Sequence, residues 1–263
     1  MPESKTLSSS HFARYPSLQG SAVFLTGGAT GIGSSLVEHF ARQGSRVAFV
    51  DVQDEAGHAL ADALESEGCP RPLYLHCDIV DVAALQAAVR QSTSEFGTLN
   101  VVVNNAGNDL RHATETVTPE YWDRSIAVNL RPHFFTVQAA LPALRAAGGG
   151  SIINMSSISW IIPTTGLPSY IASKAGIVGL TRTLAHELGK DNIRVNAVLP
   201  GAIATEKQKR LVYTPEYKAE IMASQAIKRD IVPDDVARMV LFLAADDSSG
   251  ITSQSMVVDG GWV

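Results

Sequence analysis

Short runs of consecutive apolar residues alternate with longer stretches in which apolar positions recur every three or four residues. The short runs, at 22–25, 46–50, 73–75, 99–103, 151–154, 193–198 and 255–258, have the length and β-branched content of strands. The longer stretches, at 34–42, 56–67, 82–96, 121–144, 170–188 and 236–244, have the helical period, with Pro142 near the end of the fourth. Strands that are apolar on both faces must be covered on both. Alternating with helices, they predict an α/β fold, a doubly wound parallel sheet with helices on both faces. No repeat and no Pro/Ser-rich linker divides the pattern. One domain is therefore expected over 19–263, behind a polar, flexible N-terminal extension at 1–18.

The rhythm lapses between Pro200 and Pro233, where no strand is evident and 206–211 and 215–226 read as short polar helices. An insertion there would lie over the carboxyl ends of the strands, where such sheets bind ligands. A small helical substrate lid over 200–233 is expected; a solvated surface excursion is the alternative.

Composition narrows the function classes. A 45% hydrophobic, 18% charged chain is globular rather than disordered, and a net charge of −5 without a Lys/Arg cluster argues against nucleic acid as a partner. Cys69 and Cys77 form no C-x-x-C pair, and the seven histidines have no ligand spacing, so no metal is expected. Without an apolar run long enough for a membrane span or a signal peptide, a cytoplasmic protein with no membrane partner is expected.

Thr26-Gly27-Gly28-Ala29-Thr30-Gly31-Ile32-Gly33 follows the first strand and opens the first helix. Glycines let the backbone turn sharply beside a pyrophosphate, and the helix start offers unpaired N–H groups. That placement makes the sheet a single-domain Rossmann-type nucleotide fold. Asp51 ends the second strand, where a carboxylate can accept from both adenosine ribose hydroxyls and repel a 2′-phosphate. No cation stands beside it, so NAD is expected over NADP; capping the next helix is the alternative role for Asp51.

Tyr170 and Lys174 share one helix face, and Ser157 lies on the loop after the fifth strand. A neighbouring ammonium favours tyrosinate and would lower the tyrosine pKa from its ordinary value near 10. Together with Asn104-Asn105-Ala106-Gly107, Asn129 and Pro200-Gly201, these residues resemble the short-chain dehydrogenase/reductase family from about Leu18 to the C-terminus. The resemblance implies an oxidoreductase in which Tyr170 is the acid/base and Ser157 orients the reacting oxygen. It gives Lys174 to the tyrosine and the nicotinamide ribose, and Asn129 to a water in the proton relay. It also implies cofactor contacts from Gly27, Thr30, Gly31, Ile32, Asp51, Asp78, Ile79, Asn105, Ala106, Gly107, Tyr170, Lys174, Pro200, Gly201, Ile203 and Thr205, with Asn104 structural.

Tyr15-Pro16-Ser17-Leu18, Asn108-Asp109 with Arg111-His112, Ser157-Ile158-Ser159-Trp160 and Asp259-Gly260-Gly261-Trp262 resemble the bacterial NAD-dependent aldose 1-dehydrogenases, those for D-xylose among them. The substrate implied is a sugar oxidised at C1 to the lactone, contacted by Asn108, Asp109, Ser157, Ser159, Trp160 and Tyr170. Polar groups beside the reaction centre suit a polyol, whose buried hydroxyls need partners. A salt-bridged loop for Asp109, Arg111 and His112, and packing for Trp160, are the alternatives. Ile161, Ile162 and Leu167 keep a more apolar alcohol or a 3-oxoacyl thioester open, and a non-catalytic dinucleotide sensor is a further class. A homotetramer using helices 121–144 and 170–188 is the assembly the resemblance implies.

Overall fold

The computed structural model describes residues 12–263. Seven parallel strands form one sheet in the order β3-β2-β1-β4-β5-β6-β7. They are β1 Ala22–Thr26, β2 Arg46–Asp51, β3 Leu73–His76, β4 Val101–Asn104, β5 Gly150–Met155, β6 Ile193–Pro200 and β7 Ser255–Val258. Between them run α1 Gly31–Arg42, α2 Asp54–Ser66, α3 Val82–Phe96, α4 Pro119–Asn129, α5 Arg131–Ala146, α6 Pro168–Leu188, α7 Glu206–Leu211, α8 Pro215–Ser224 and α9 Pro233–Ala244.

The apolar strands supply two cores. In β1, Val23 and Leu25 face one and Phe24 the other; Val47 and Phe49 oppose Ala48 and Val50 in β2, and Val101 and Val103 oppose Val102 in β4. This is the two-residue period of a pleated strand. Leu36, Val37 and Phe40 of α1 and Val236, Val240 and Leu241 of α9 close the first core. Leu85 and Val89 of α3, Val137 and Leu144 of α5 and Leu184 and Leu188 of α6 close the second. From β1 the chain winds outward through β2 to β3, then returns to add β4 on the other side. The crevice at that reversal, beyond the strand ends, is where such folds bind ligands.

Two expectations are corrected. The helix expected over 121–144 is two helices, α4 and α5, parted at Leu130 (φ −128, ψ −52). Pro132 has no N–H for the Val128 carbonyl, and its ring crowds that carbonyl. The extension expected to be loose to residue 18 is packed from Phe12 onward among the described residues; the part of it at 1–11 lies outside them. Leu18 is 1% exposed in the first core, the Tyr15 N–H donates to Gln43 Oε1 at 3.0 Å, and the Arg238 guanidinium sits 4.3 Å over the Phe12 ring. Among the described residues no helix is long and apolar enough to cross a membrane.

Candidate active site

A cleft of about 1560 Å³ crosses the carboxyl ends of the strands. It exceeds the roughly 300–1,000 Å³ of sites for single small ligands and suits a dinucleotide with a substrate. At one end lies the turn between β1 and α1. Gly27 and Gly31 have φ of +68° and +64°. A Cβ on Gly27 would stand 2.8 Å from Ala106 Cα, and one on Gly33 would stand 1.8 Å from the Gly27 carbonyl oxygen. Gly31 faces Thr205 across the cleft, its Cβ position 3.6 Å from the threonine methyl. The bare backbone and the first turn of α1 therefore form a cradle that fits a pyrophosphate.

Asp51 holds this cradle as well as facing it. Its Oδ2 accepts from the Ala29 N–H at 3.0 Å, and its Oδ1 from Val52 and Gln53 at 2.8 and 3.1 Å. Asp51 is not the N-cap of the next helix, since α2 begins at Asp54 with Gln53 as its N-cap; its bonds to Ala29, Val52 and Gln53 still leave a carboxylate, with about four acceptor sites, room for a ribose hydroxyl. Nearby, the Thr26 hydroxyl accepts from the N–H groups of Asn105 and Ala106, while the Asn105 amide donates to the Thr26 and Gly27 carbonyls. Asn104 is buried and donates to Asn154 Oδ1 at 2.9 Å, between β4 and β5.

In the middle of the cleft, α6 presents Tyr170 and Lys174 opposite Ser157. Lys174 is 3% exposed, and its Nζ donates to the Met155 carbonyl at 2.8 Å. Burial lowers its pKa to about 8, against an upward pull from Asp109. The Ser156 hydroxyl donates to the Lys174 carbonyl at 2.7 Å, fixing α6 on the end of β5. Burial, then the Asp109 carboxylate, holds the Tyr170 phenol above its ordinary value, against a lowering from Ser157. The expected lowering of Tyr170 is therefore not supplied by the protein groups, since burial outweighs what surrounds the phenol.

Asn129 is placed differently from expectation. It is 1% exposed and does not line the cleft. Its Oδ1 accepts from the Asn108 N–H at 2.7 Å and its Nδ2 donates to the Asn108 carbonyl at 3.1 Å, so the side chain splints the loop after β4. At the α4–α5 break the His133 N–H turns to the Leu130 carbonyl, leaving the Asn129 carbonyl without its helical donor. The His133 ring is buried close to Lys174; neither nitrogen makes a well-formed hydrogen bond among the described residues, although the backbone of Met155 and Asn104 lies close enough to pull its pKa up. Burial, then the lysine charge, holds it at about 3.

The far end is closed by the 200–233 segment. Asp109 accepts from Lys207 Nζ at 2.8 Å and from Gln208 Nε2 at 2.7 Å, tying α7 across the cleft. Burial raises the Asp109 pKa, but Lys207 and Gln208 outweigh it and leave the carboxyl below its usual value. Arg111 lines the cleft and donates to the Thr165 carbonyl at 3.1 Å, while His112 packs edge-on against Tyr121. Asn108 and Ser159 line the cleft, and Ser159 Oγ is buried without a partner among the described residues.

Trp160 does not line the cleft. The short 3-10 turn Ile158–Trp160 buries Ile158 and leaves Trp160 36% exposed. Trp262 lines it instead, packed on a small cluster with Ile158 and Leu199. Sequence reasoning missed Trp262 and Gln208 as site residues. The signal for Trp262 was the Gly260-Gly261 pair, whose φ of +73° and +82° turns the tail back. The other expected site residues do line the cleft: Gly27, Thr30, Gly31, Ile32, Asp51, Asp78, Ile79, Asn105, Ala106, Gly107, Pro200, Gly201, Ile203 and Thr205. No group of three or more His, Cys, Asp or Glu that could hold a metal occurs among the described residues.

Known proteins are similar to this chain in sequence and fold. The family model described as enoyl-(acyl carrier protein) reductase matches residues 27–263. A probable galactose dehydrogenase of Rhizobium meliloti (strain 1021) is 47% identical over 256 residues, 97% of this chain and 99% of that one. A D-xylose 1-dehydrogenase of Caulobacter vibrioides is 47% identical over 250 residues, 95% of this chain and 98% of that one. Among solved structures, 7 alpha-hydroxysteroid dehydrogenase complexed with NADH and 7-oxo glycochenodeoxycholic acid has a TM-score of 0.88 at 29% identity, over 94% of this chain and 96% of that one. A 3-oxoacyl-[acyl-carrier protein] reductase from Brucella melitensis with bound NAD has a TM-score of 0.85 at 33% identity, over 95% and 94%.

Proposed function

The chain belongs to the short-chain dehydrogenase/reductase family, and we propose that it oxidises the C1 hydroxyl of a cyclic aldose with NAD to give the lactone. The observation that carries this is the 47% identity, over nearly the whole chain, to a probable galactose dehydrogenase and a D-xylose 1-dehydrogenase. The polar far end of the cleft, with Asp109, Asn108 and the unpartnered Ser159 hydroxyl, supports it. Asp51, a carboxylate at the end of β2 that would repel a 2′-phosphate, supports NAD over NADP.

A bound NAD would supply the acceptor for the C1 hydride and a positive ring that favours the ionised tyrosine. Ser157 donates to and orients O1. Tyr170 takes the O1 proton as the C1–H bond breaks, so one hydride and one proton leave the sugar and the C1–O bond becomes a carbonyl. Lys174, held by the Met155 carbonyl, steadies the tyrosinate and the cofactor ribose. The Asn129 carbonyl, which lacks its helical donor among the described residues, could hold a water that would pass the proton outward. Gly27, Thr30, Gly31 and Ile32 would cradle the pyrophosphate. Asp78 and Ile79 would flank the adenine, Asn105 to Gly107 would border the adenosine ribose, and Pro200, Gly201, Ile203 and Thr205 would border the nicotinamide. The assembly proposed is a cytoplasmic homotetramer joined through α4, α5 and α6, where Trp122 and Phe134 are 40% and 41% exposed.

A panel of aldoses and secondary alcohols, each offered with NAD and with NADP and followed by NAD(P)H absorbance, tests the reading. Turnover of at least one aldose with NAD, with the lactone as product, is the expected result. Efficient turnover of only lipophilic alcohols or 3-oxoacyl thioesters would overturn it.

A further inference from the structure

The far end of the cleft has two unlike walls. On one, Trp262 and Ile162 present apolar surface, held by Ile158, Ala197 and Leu199 beneath. Trp262 is fixed there by its own tail: the buried Asp259 carboxylate accepts from the Gly261 and Val263 N–H groups at 2.8 and 2.9 Å. On the other wall, Gln208 comes from α7, a helix with no buried residue of its own. One of its amide N–H bonds is committed to Asp109 at 2.7 Å, while its Oε1 has no hydrogen-bond partner among the described residues. Asp109 is itself held by Lys207 at 2.8 Å, so the amide is pinned at one end only.

A hydroxyl group both donates and accepts, and a pinned carboxamide with its oxygen and second N–H unused offers both partners in one plane. A pyranose has such hydroxyls around its rim and an apolar face of C–H bonds, which an indole can cover. We infer that Gln208 and Trp262 form the specificity subsite for the part of the sugar remote from C1, Gln208 reading one ring hydroxyl and Trp262 covering the C–H face. This inference rests on the aldose reading above. Lys207 and Asp109 are positioning residues for Gln208.

The test is kcat/KM for an accepted pyranose and its monodeoxy analogues, with the unmodified enzyme, Gln208→Leu, Trp262→Leu and Trp262→Phe. Calorimetric NAD affinity and thermal unfolding report on the fold. Losing one hydrogen bond to a buried hydroxyl predicts a loss of roughly 10–100-fold for Gln208→Leu on the parent sugar. One deoxy analogue should lose nothing further in that variant, which identifies the hydroxyl. Trp262→Leu should lose about tenfold on every pyranose but not on a small secondary alcohol, and Trp262→Phe should recover most of it. NAD affinity should stay within about twofold, since neither side chain is part of the glycine cradle. Equal losses on all substrates, the small alcohol included, or an unchanged deoxy-sugar pattern, would overturn the subsite while leaving the aldose reading standing. An unmodified enzyme that turns over no aldose would instead overturn the reading and this subsite with it.

Discussion

The glycine turn after β1 and the helices α7 and α8 border the same cleft, but they are held in different ways. The turn is locked to the sheet. Asp51 accepts from Ala29, Thr26 accepts from two N–H groups of the loop after β4, and a Cβ at Gly33 would overlap the Gly27 carbonyl. In the 200–233 segment α7 buries nothing and α8 buries only Ile221. Its two ends are anchored, Ile203 and Ile231 pairing as a bridge and burying in the first core, but the helices between them are held mostly by polar contacts: Lys207 and Gln208 on Asp109, and the N–H groups of Ala226 and Ile227 on the Gly261 and Gly260 carbonyls. The difference teaches where each task can sit. A cofactor shared by many enzymes is met by backbone that cannot change without breaking the sheet. The facing helices α7 and α8 bury little, so they can move and diverge at little cost in stability.

The largest expected effect lies where the two regions meet. Tyr170→Phe removes only the proton-accepting oxygen and should lower kcat by about 10²–10⁴, the range of a general base, with NAD affinity unchanged. Stopped-flow turnover and calorimetry measure both. Retention of more than about a tenth of kcat would remove Tyr170 from its role.

Next, substitution should separate the regions by stability. Gly33→Ala forces a methyl into the Gly27 carbonyl and should cost about 1–3 kcal/mol and most of the NAD affinity. Lys218→Ala removes a surface ion pair and should stay within about 0.5 kcal/mol. Urea unfolding with and without NAD compares them. Equal costs would show that the lid is as integral to the fold as the turn.

How much of this was legible in the sequence follows the same division. Strands apolar on both faces, and a glycine turn between a strand and a helix, leave continuous local signals, and so the sheet and the glycine turn could be read. The break at Leu130 had its signal in Pro132, although the helical period runs through it. What Asp51 does for Ala29 had no local signal, because the two are brought together by the pairing of β1 with β2. Trp160 and Trp262 exchanged places because a 3-10 turn swings each successive side chain by about a third of a turn, which no apolar pattern records over three residues. Gln208 sits on six residues without a buried face, so no period marks it.

A smaller effect concerns His133, buried close to Lys174. His133 is buried and neutral, with a folded pKa of about 3 against 6.5 for the free group. As pH falls below 6.5 the unfolded chain takes up a proton that the folded chain refuses. Stability should therefore be lost progressively from pH 6.5 towards 3, by about 1 kcal/mol per pH unit from this group. His133→Phe should flatten that part of the profile measured by urea unfolding. An unchanged slope would place the acid sensitivity elsewhere.

The smallest expected effect tests whether the lid reaches the chemistry through charge. Asp109 raises the Tyr170 pKa, and Lys207 partly neutralises Asp109 from α7. Lys207→Ala leaves the carboxylate less compensated, so the tyrosine should ionise later and the rising limb of kcat/KM against pH should move to higher pH. Asp109→Asn removes the charge and should move the limb to lower pH. Lys207 is about half exposed, so screening should hold its shift to a few tenths of a unit, shrinking further as salt is added. The two variants must move the limb in opposite directions. If both move it the same way, the lid acts on turnover by position alone, and the ion pair is a fastening rather than part of the electrostatics of the site.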